Sequence, residues 1–393
     1  MRIVLLDPGL KTIKGHHCDL DLRLGRALRR RGHELALHGS AEPDPELIAK
    51  AKEASLDFHA TFRISPYARL PRAQSPAEAY KLLELDTAQD LAAVPKADVW
   101  VWPTLASYQF AAAAHYAGSM RQIGGVWWLP GFPQAIGATH WAATAHRLAE
   151  VRDRFVVGAY DELLCREYQR ASPGLDIQCL SCPHDGIANN RNPTSLRRIG
   201  FFGHQRAGRG ADLIPEMAAA LAAKGFEVVV QDSSGSRSGK RRASRIRALS
   251  RPSFASRIRR WCWRQKGTAD CVTNLPYVED FASELARCDL VVWPSQKEAY
   301  AQSLSGVVSE CIATGVPIVV PAGCMPAQVA ARYGCGVFFH AYSSKAILAA
   351  VDEAARDFHD VTARSRAAAA MWHGQNGTDR LAAWIGQVMG AKA

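Results

Sequence analysis

The sequence has no apolar run long enough to cross a membrane. A spanning helix needs about 20 predominantly apolar residues, and no stretch of the chain approaches that length. The apolar run after Met1 is short and ends at the Pro8-Gly9 turn, unlike the core of a signal peptide. These absences favour a cytoplasmic protein. Any membrane association is expected to be peripheral, on the inner membrane face.

Cysteine patterns typical of a metal site or a disulfide framework are also missing. Ten cysteines are spread over 393 residues, and Cys179 and Cys182 form a single C-x-x-C pair without a second one at zinc-site spacing. We therefore expect reduced, structural cysteines. The sequence shows no cluster of metal ligands, and we predict a protein that needs neither a metal nor a cofactor.

One long, strongly basic segment has no acidic residue. Arg237–Lys266 contains twelve Lys and Arg, which exceeds the net charge of +11, so the rest of the chain is close to neutral. Aromatic residues, including Trp261 and Trp263, are interleaved with the arginines. Such a composition suits an anionic membrane surface or a lipid-linked acceptor. A solvated loop is the main alternative, and nucleic acid is the weaker one.

The remaining composition, 48% hydrophobic and 22% charged, is that of a globular protein. Short apolar runs that end in turns alternate with stretches of helical periodicity, although residues 41–95 show neither pattern clearly. Strands are predicted at Arg2–Asp7, Glu34–His38, Asp98–Trp102, Ile123–Leu129, Phe155–Ala159 and Ile177–Leu180. Strand–helix alternation predicts an α/β fold with a parallel sheet covered on both faces.

The alternation stops at residues 183–198, which are rich in Pro, Gly and Asn, and restarts at Ile199. We therefore predict two doubly wound, Rossmann-like domains facing a central cleft. The first comprises residues 1–190 and is joined by the C-terminal helix 377–393. The second comprises residues 191–376 and carries the basic insertion at 236–267. Ligands of such sheets bind outside the carboxyl ends of the strands, so the cleft is the predicted site.

A glycine-rich loop follows the first predicted strand of the second domain. It reads Gly203-His204-Gln205-Arg206-Ala207-Gly208-Arg209-Gly210. A loop of this kind before a helix offers backbone amides to an anion, and the two arginines suit a diphosphate. It lacks the Gly-Lys-Ser/Thr ending of a Walker A motif. An ordinary βα turn is the alternative interpretation.

The most specific stretch runs from Trp293 to Pro321. A strand ends at Pro294-Ser295, a loop follows, and a helix is predicted from Gly306 to Ala313. The amides of Ser305, Gly306 and Val307 would face the cleft. Glu310, about one turn along the helix, would accept hydrogen bonds from sugar hydroxyls. The alternative is that Glu310 is an ordinary solvated helix residue.

Residues 199–340 resemble the nucleotide-sugar domain of GT-B glycosyltransferases, in particular the retaining family-4-like branch. In that branch two glutamates are separated by seven residues. Glu310 matches the second of them, while Gln302 stands at the first and Glu298 lies four residues earlier. The resemblance implies that Glu310 binds the donor ribose and that Arg206 and Arg209 contact the diphosphate. It also implies a GT-B fold without a catalytic metal.

The remaining site predictions rest on the same resemblance. Donor contacts are assigned to the loop residues Gly203 and His204, and Tyr277 is placed near the base. The N-terminal half resembles the acceptor domain in pattern only, with Gly15, His16 and His17 in its first strand–helix loop. A capping loop with surface histidines explains these residues equally well.

Family members often carry a cleft histidine after the fourth strand, where this chain has Trp127-Trp128-Leu129-Pro130. Trp128 could stack on an acceptor sugar, or it could be a core residue. The resemblance implies transfer of a sugar from a nucleotide-diphosphate sugar to a hydroxyl acceptor, with retention of configuration. A role in cell-surface polysaccharide or glycolipid synthesis follows as an expectation. An epimerase, a phosphorylase and a non-catalytic binding protein are the alternatives.

Overall fold

The structure is a computed structural model. It describes residues 1–117, 121–126, 137–203, 205, 208–231, 271–276, 278, 280–301 and 303–390, with backbone alone at 121–126, 137–141 and 389–390. The basic segment Arg237–Lys266 lies outside the described residues. Five predicted site residues do as well: Trp128, His204, Arg206, Tyr277 and Gln302.

The chain divides into two compact units. The first comprises Met1–Pro183 and Gln375–Ala393, and the second comprises His184–Gly374. The division falls after Pro183, whereas the sequence prediction placed it after residue 190. His184 belongs with the second unit because its side chain is buried there against Glu310.

The first unit is built on a seven-stranded sheet with the order β3-β2-β1-β4-β5-β6-β7, in which every described pair is parallel. The strands are β1 (Arg2–Leu6), β2 (Glu34–Ser40), β3 (Asp57–Phe62), β4 (Val99–Trp102), β5 (Arg121–Val126), β6 (Phe155–Ala159) and β7 (Ile177–Cys179). Strands β1 and β4 are almost entirely buried. Near-continuous apolar runs are what a parallel sheet covered on both faces requires.

Seven helices complete the first unit: α1 (His16–Arg30), α2 (Pro45–Glu53), α3 (Pro76–Leu91), α4 (Ser107–Ala114), α5 (Gly137–Glu150), α6 (Glu162–Ala171) and the C-terminal α13 (Thr378–Gly390). Helices α2 and α3 and strand β3 occupy residues 41–95, for which the sequence allowed no clear interpretation. Helix α13 packs on α1, where Arg23 donates a 3.2 Å hydrogen bond to Thr378.

The second unit contains a six-stranded sheet with the order β10-β9-β8-β11-β12-β13, again parallel throughout. Its strands are β8 (Arg198–Phe201), β9 (Glu227–Gln231), β10 (Val272–Leu275), β11 (Leu290–Val292), β12 (Ile318–Pro321) and β13 (Val337–Phe339). Counted within the unit, this is the Rossmann order 3-2-1-4-5-6. The strand order reverses between β8 and β11, and ligands bind at such a switch point.

The described helices of the second unit are α7 (Ile214–Ala223), α8 (Phe281–Ala286), α9 (Gly306–Thr314), α10 (Met325–Arg332), α11 (Ser344–Arg356) and α12 (Phe358–Gln375). The apolar faces of α7 and α11 join the buried strands in one core. Among the described residues, no helix combines the length and apolar character that membrane crossing demands. Among the described residues, no disulfide joins two cysteines.

Candidate functional site

The two loops predicted to bind the donor meet at the switch point of the second sheet. The loop after β8 contains Gly208, and the loop after β11 contains Ser295 and Gln296. The Gln296 amide donates to the Gly208 carbonyl at 2.9 Å, and the Ser295 hydroxyl lies 3.4 Å from the same oxygen. The sheet topology therefore joins two motifs that are about 90 residues apart in the sequence.

Glycine is required in the first loop because the loop passes close to the second. Gly208 and Gly210 have φ values of +73° and +83°, a region that L side chains avoid. A Cβ on Gly210 would lie 2.5 Å from Pro294 Cγ. The glycines thus allow the two loops to approach each other.

Two amides of this loop are already engaged within the protein. Gly203 donates to the Gln231 side chain at 2.9 Å, and Gly210 donates to the Tyr342 hydroxyl at 3.2 Å. The expectation that the loop offers free amides fails at these two positions. The cause is the turn, which aims both N–H groups at neighbouring side chains.

Arg209 is held in place by an aromatic ring. Its guanidinium lies 4.6 Å from the ring centroid of Tyr300, and Tyr300 makes an edge contact with Trp293 at 4.5 Å between centroids. A guanidinium over an aromatic face is attracted by the ring quadrupole. This contact places the positive charge of Arg209 beside the loop that follows β11, as a diphosphate-binding role requires.

Helix α9 begins where the sequence predicted. Ser305 is its N-cap, and the Ser305 hydroxyl accepts from the Val308 amide. The helix ends at Gly315, which is left-handed with φ +73°. The first amides of a helix, here those of Gly306 and Val307, have no acceptor within it. Together with the helix dipole they favour an anion.

The glycine loop also reaches the start of α9. A Cβ on Gly203, whose φ is +99°, would lie only 3.1 Å from Val307 Cγ2. The loop after β8 and the first turn of α9 therefore lie side by side.

Glu310 is buried, with 8% of the residue exposed. The alternative that it is a solvated helix residue is therefore wrong. Its Oε2 lies 2.7 Å from His184 Nδ1. An ionised carboxylate has two oxygens and about four acceptor positions. One hydrogen bond from an imidazole therefore leaves it able to accept from hydroxyls of a ligand.

His184 is the site residue that sequence reasoning missed. It lies in the segment interpreted as a linker, between Pro183 and Asp185, and 126 positions before Glu310. No periodicity marks it. The available signal was a single histidine in a Pro-x-x-Gly turn beside a predicted ligand-binding domain.

Glu298 is exposed on a short 3-10 turn, Lys297–Tyr300, in the loop after β11. It is the acidic residue nearest to the position where the related family carries its first glutamate. Its assignment as a donor ligand stays a prediction.

Among the predicted acceptor residues of the first unit, His17 belongs to a second buried pair, while His16 is partly buried and Gly15 is exposed. His17 Nδ1 lies 2.6 Å from Asp7 Oδ2, and His17 Nε2 lies 2.9 Å from the Tyr67 hydroxyl. His16 reaches the same hydroxyl at 3.3 Å. Gly15 precedes them with φ +92°, as the residue before α1. His17 is thus a buried, paired residue rather than a surface histidine.

A second carboxyl lies beside this pair. Burial disfavours ionisation of Asp7, but attraction to His17 and hydrogen bonds from His17, Asp21 and the Gly9 amide outweigh it and lower its pKa. Burial and the neighbouring charge of Asp7 raise the pKa of Asp21 well above its usual range. Asp21 is therefore the neutral member of the pair and Asp7 the charged one.

Within the described ranges, no three His, Cys, Asp or Glu side chains are grouped as metal ligands. The expectation of a metal-free, cofactor-free protein stays a prediction.

Known proteins resemble this chain in part of its sequence and in its fold. Residues 262–370 match the family model described as "Glycosyl transferases group 1". This match and the solved structures below confirm the predicted resemblance to GT-B glycosyltransferases. No curated protein sequence is detectably similar to the chain.

Several solved structures share the fold along almost the whole chain. HepE from Anabaena, in complex with UDP and glucose, is 12% identical, with a TM-score of 0.62 and coverage of 99% of each chain. A glycosyltransferase from Rickettsia africae is 11% identical, with a TM-score of 0.66 and coverage of 99% and 98%. Sucrose-phosphate synthase from Thermosynechococcus elongatus is 14% identical, with a TM-score of 0.62 and the same coverage. The predicted α/β fold with two Rossmann-like domains is confirmed.

Proposed function

We propose that this chain is a retaining glycosyltransferase that moves a sugar from a nucleotide-diphosphate sugar to a hydroxyl acceptor, without a metal. The observations that carry the proposal are Arg209 lying over Tyr300, the loop after β8 beside the first turn of α9, and the buried Glu310 of that helix. Glycosyl transfer matches the family to which residues 262–370 are similar. Retention is supported by the resemblance of the segment ending at Glu310 to the retaining branch.

In this reaction the bond between the sugar and the diphosphate breaks, and negative charge grows on the leaving diphosphate. Groups that interact more strongly with the transition state than with the ground state accelerate the step. Arg209 and the amides of Gly306 and Val307 are such groups, because they meet the charge with donors fixed beforehand. Arg206, in the same loop, is assigned the same role from the sequence.

The donor class is proposed from three observations. HepE was solved with UDP and with UDP-glucose, which supports a nucleoside-diphosphate donor for this chain too. Arg209 and the start of α9 suit the diphosphate. Glu310, buried with acceptor capacity remaining, suits the hydroxyls of a ribose.

The acceptor and the location are proposed from the basic segment Arg237–Lys266. Its twelve positive charges give catalysis nothing, but they concentrate a cytoplasmic enzyme at the inner membrane face, where lipid-linked glycans are extended. Each Lys or Arg near an anionic surface contributes about 1 kcal/mol. We therefore propose a glycan or lipid-linked acceptor and a role in cell-surface polysaccharide or glycolipid synthesis.

The Glu310→Ala variant tests the donor site. Its affinity for the best-binding member of a panel of UDP, GDP, ADP and dTDP should fall by about 1.5–3 kcal/mol, the scale of a hydrogen bond to a charged group. Calorimetry measures this, and Glu353→Ala, an exposed glutamate of α11, is the control. Unchanged affinity in Glu310→Ala would contradict the ribose assignment. Binding of the donor sugar without any release of nucleoside diphosphate would indicate a binding protein instead.

Vesicle co-sedimentation tests the location. The protein should sediment with anionic vesicles and not with neutral ones, and salt should release it because the attraction is screened. Deletion of Arg237–Lys266 should abolish sedimentation and leave nucleotide binding intact. Equal recovery with both kinds of vesicle would leave the segment as a solvated insertion.

A further inference from the structure

The backbone at His184 and two residues later is held by contacts that do not involve the His184 ring. Trp372 of α12 donates its indole N–H to the His184 carbonyl at 2.8 Å, in a buried position. Two residues on, Gly186 has φ +58°, and a Cβ there would lie 2.5 Å from the backbone carbon of Ala313. The segment is therefore packed against α9 so closely that only glycine fits.

The ring itself spans the first turn of α9. His184 Nδ1 is 2.7 Å from Glu310 Oε2, and the Cε1 edge of the ring lies 3.4 Å from the Cβ position of Gly306. A carboxylate oxygen accepts, so Nδ1 carries the proton and donates it. His184 and Glu310 are 7% and 8% exposed, and hydrogen bonds are electrostatically stronger in such surroundings.

A glutamate side chain has several rotamers, and holding it in one carries an entropy cost. A fixed donor on one carboxylate oxygen meets that cost before a ligand arrives, which raises affinity by pre-organisation. His184 is a donor of this kind. It is fixed by its backbone, and it bonds one of the two oxygens of Glu310.

We propose that His184 is a positioning residue for the donor ribose. Its Nδ1–H holds Oε2 of Glu310, so that the other oxygen accepts from the ribose hydroxyls. The inference rests on the proposed function of Glu310. It adds that affinity for the ribose depends on the imidazole of the first residue of the second unit. His184 touches no reacting atom in this role, so it acts on donor affinity and not on the chemical step.

The test uses His184→Ala and His184→Asn in the full-length protein. Asn places an amide N–H near the position of Nδ1, whereas Ala removes the donor. The probes are the tightest-binding of UDP, GDP and ADP, and its 2′,3′-dideoxy analogue, measured by calorimetry. His184→Ala should weaken the ribose form about tenfold and leave the dideoxy form unchanged. His184→Asn should recover most of the loss.

A double-mutant cycle with Glu310→Gln separates positioning from general structure. If His184 acts through Glu310, His184→Ala should cause no further loss in the Glu310→Gln background. In steady-state assays the KM for the donor should rise about tenfold, with kcat within about threefold of wild type. His359→Ala, at a histidine side chain that is 96% exposed in the same unit, is the control for a histidine change as such.

Each outcome decides one statement. If Glu310→Gln does not distinguish the ribose form from the dideoxy form, or if none of the three nucleotides binds, the proposed function of Glu310 fails and the inference fails with it. If Glu310→Gln does distinguish them but His184→Ala weakens both forms equally, the inference alone is overturned. A full additional loss in the Glu310→Gln background would overturn it as well.

Discussion

In each unit, a buried histidine is hydrogen-bonded to a buried carboxylate. The surroundings of these two pairs differ. The Asp7–His17 pair is ten residues apart in sequence, and the Tyr67 hydroxyl occupies its other imidazole nitrogen. The Glu310–His184 pair is 126 residues apart and lies over the first turn of α9. The first carboxylate is fully buried, while the second retains slight exposure.

The histidine–carboxylate hydrogen bond therefore has a different role in each unit. Asp7 accepts from the Gly9 amide as well as from His17 and lies next to the neutral carboxyl of Asp21, so its acceptor positions serve the fold. Glu310 lies at the edge of a site and has a single described side-chain partner. We therefore expect changes in the first pair to affect stability and changes in the second to affect ligand binding.

The largest effect is expected from His17→Ala. It leaves the buried charge of Asp7 without its partner, and breaking such a pair costs about 3–5 kcal/mol of the free energy of unfolding. Urea denaturation measures this. The folded-state pKa of Asp7 is lowered, so its stabilisation is present above the unfolded value near 3.8 and is lost as the pH falls. The deficit of the variant should therefore shrink below about pH 4.

His16→Ala is the matched control for that variant. Its ring stacks on His17 at 4.2 Å and reaches the Tyr67 hydroxyl at 3.3 Å, and its removal leaves the Asp7–His17 pair in place. Its stability should stay within about 1 kcal/mol of wild type. An equally large loss in both variants would show that packing of the loop, rather than the charge pair, stabilises this region.

A smaller effect is expected from Gly186→Ala in the second unit. A left-handed φ costs a non-glycine residue about 1–2 kcal/mol, and the clash with the Ala313 backbone adds to it. We expect a total loss of about 2–3 kcal/mol, together with weaker nucleotide binding because His184 is displaced. Denaturation and calorimetry measure the two effects.

Gly225→Ala is the control for backbone strain alone. Gly225 has φ +88° and nothing within 4 Å of its Cβ position. It should lose about 1 kcal/mol and bind nucleotide normally. If Gly186→Ala bound nucleotide as well as Gly225→Ala does, the packing of residues 184–186 would be irrelevant to the site.

The smallest expected change is a gain in stability, in the Asp21→Asn variant. Because the folded-state pKa of Asp21 is raised, the wild-type protein is most favoured below the unfolded value near 3.8 and loses stability as the pH rises above it. An amide keeps the hydrogen-bond donor and removes this loss. Thermal unfolding should show a gain at pH 7 that disappears near pH 4. Asp19→Asn, whose side chain is 62% exposed, should show none.

The sequence was enough for strands β1, β2, β4, β6 and β7, each of which carries buried apolar residues. It was not enough for helix α3. The buried face of α3 carries Glu84, Thr87 and Asp90. Glu84 is neutralised by Lys81, His115 and Arg147, the last of which is 63 residues away in sequence. A polar face that is satisfied by distant partners has no apolar period to detect.

The candidate site likewise contains residues that the sequence could predict and residues that it could not. Arg209, Ser305 and Glu310 could be predicted because the motif surrounds them along the chain. Asp21 and His184 could not, because their roles arise from residues that only the fold brings near. Local pattern predicts which loops bind, whereas the partners that adjust a group's charge or orientation come from elsewhere in the sequence.

The path of the chain has a consequence for synthesis. The first unit is interrupted after Pro183 and resumes at Gln375. The two chain segments that border this interruption are hydrogen-bonded to each other, since the Gly377 amide donates to the Cys182 carbonyl at 2.9 Å. Helix α13, which packs on α1 of the first unit, therefore leaves the ribosome after the whole second unit. Domains generally fold as units during synthesis. The second unit thus has its complete sequence available to fold while the first still lacks its final helix, and the half that is translated first is the half that is completed last.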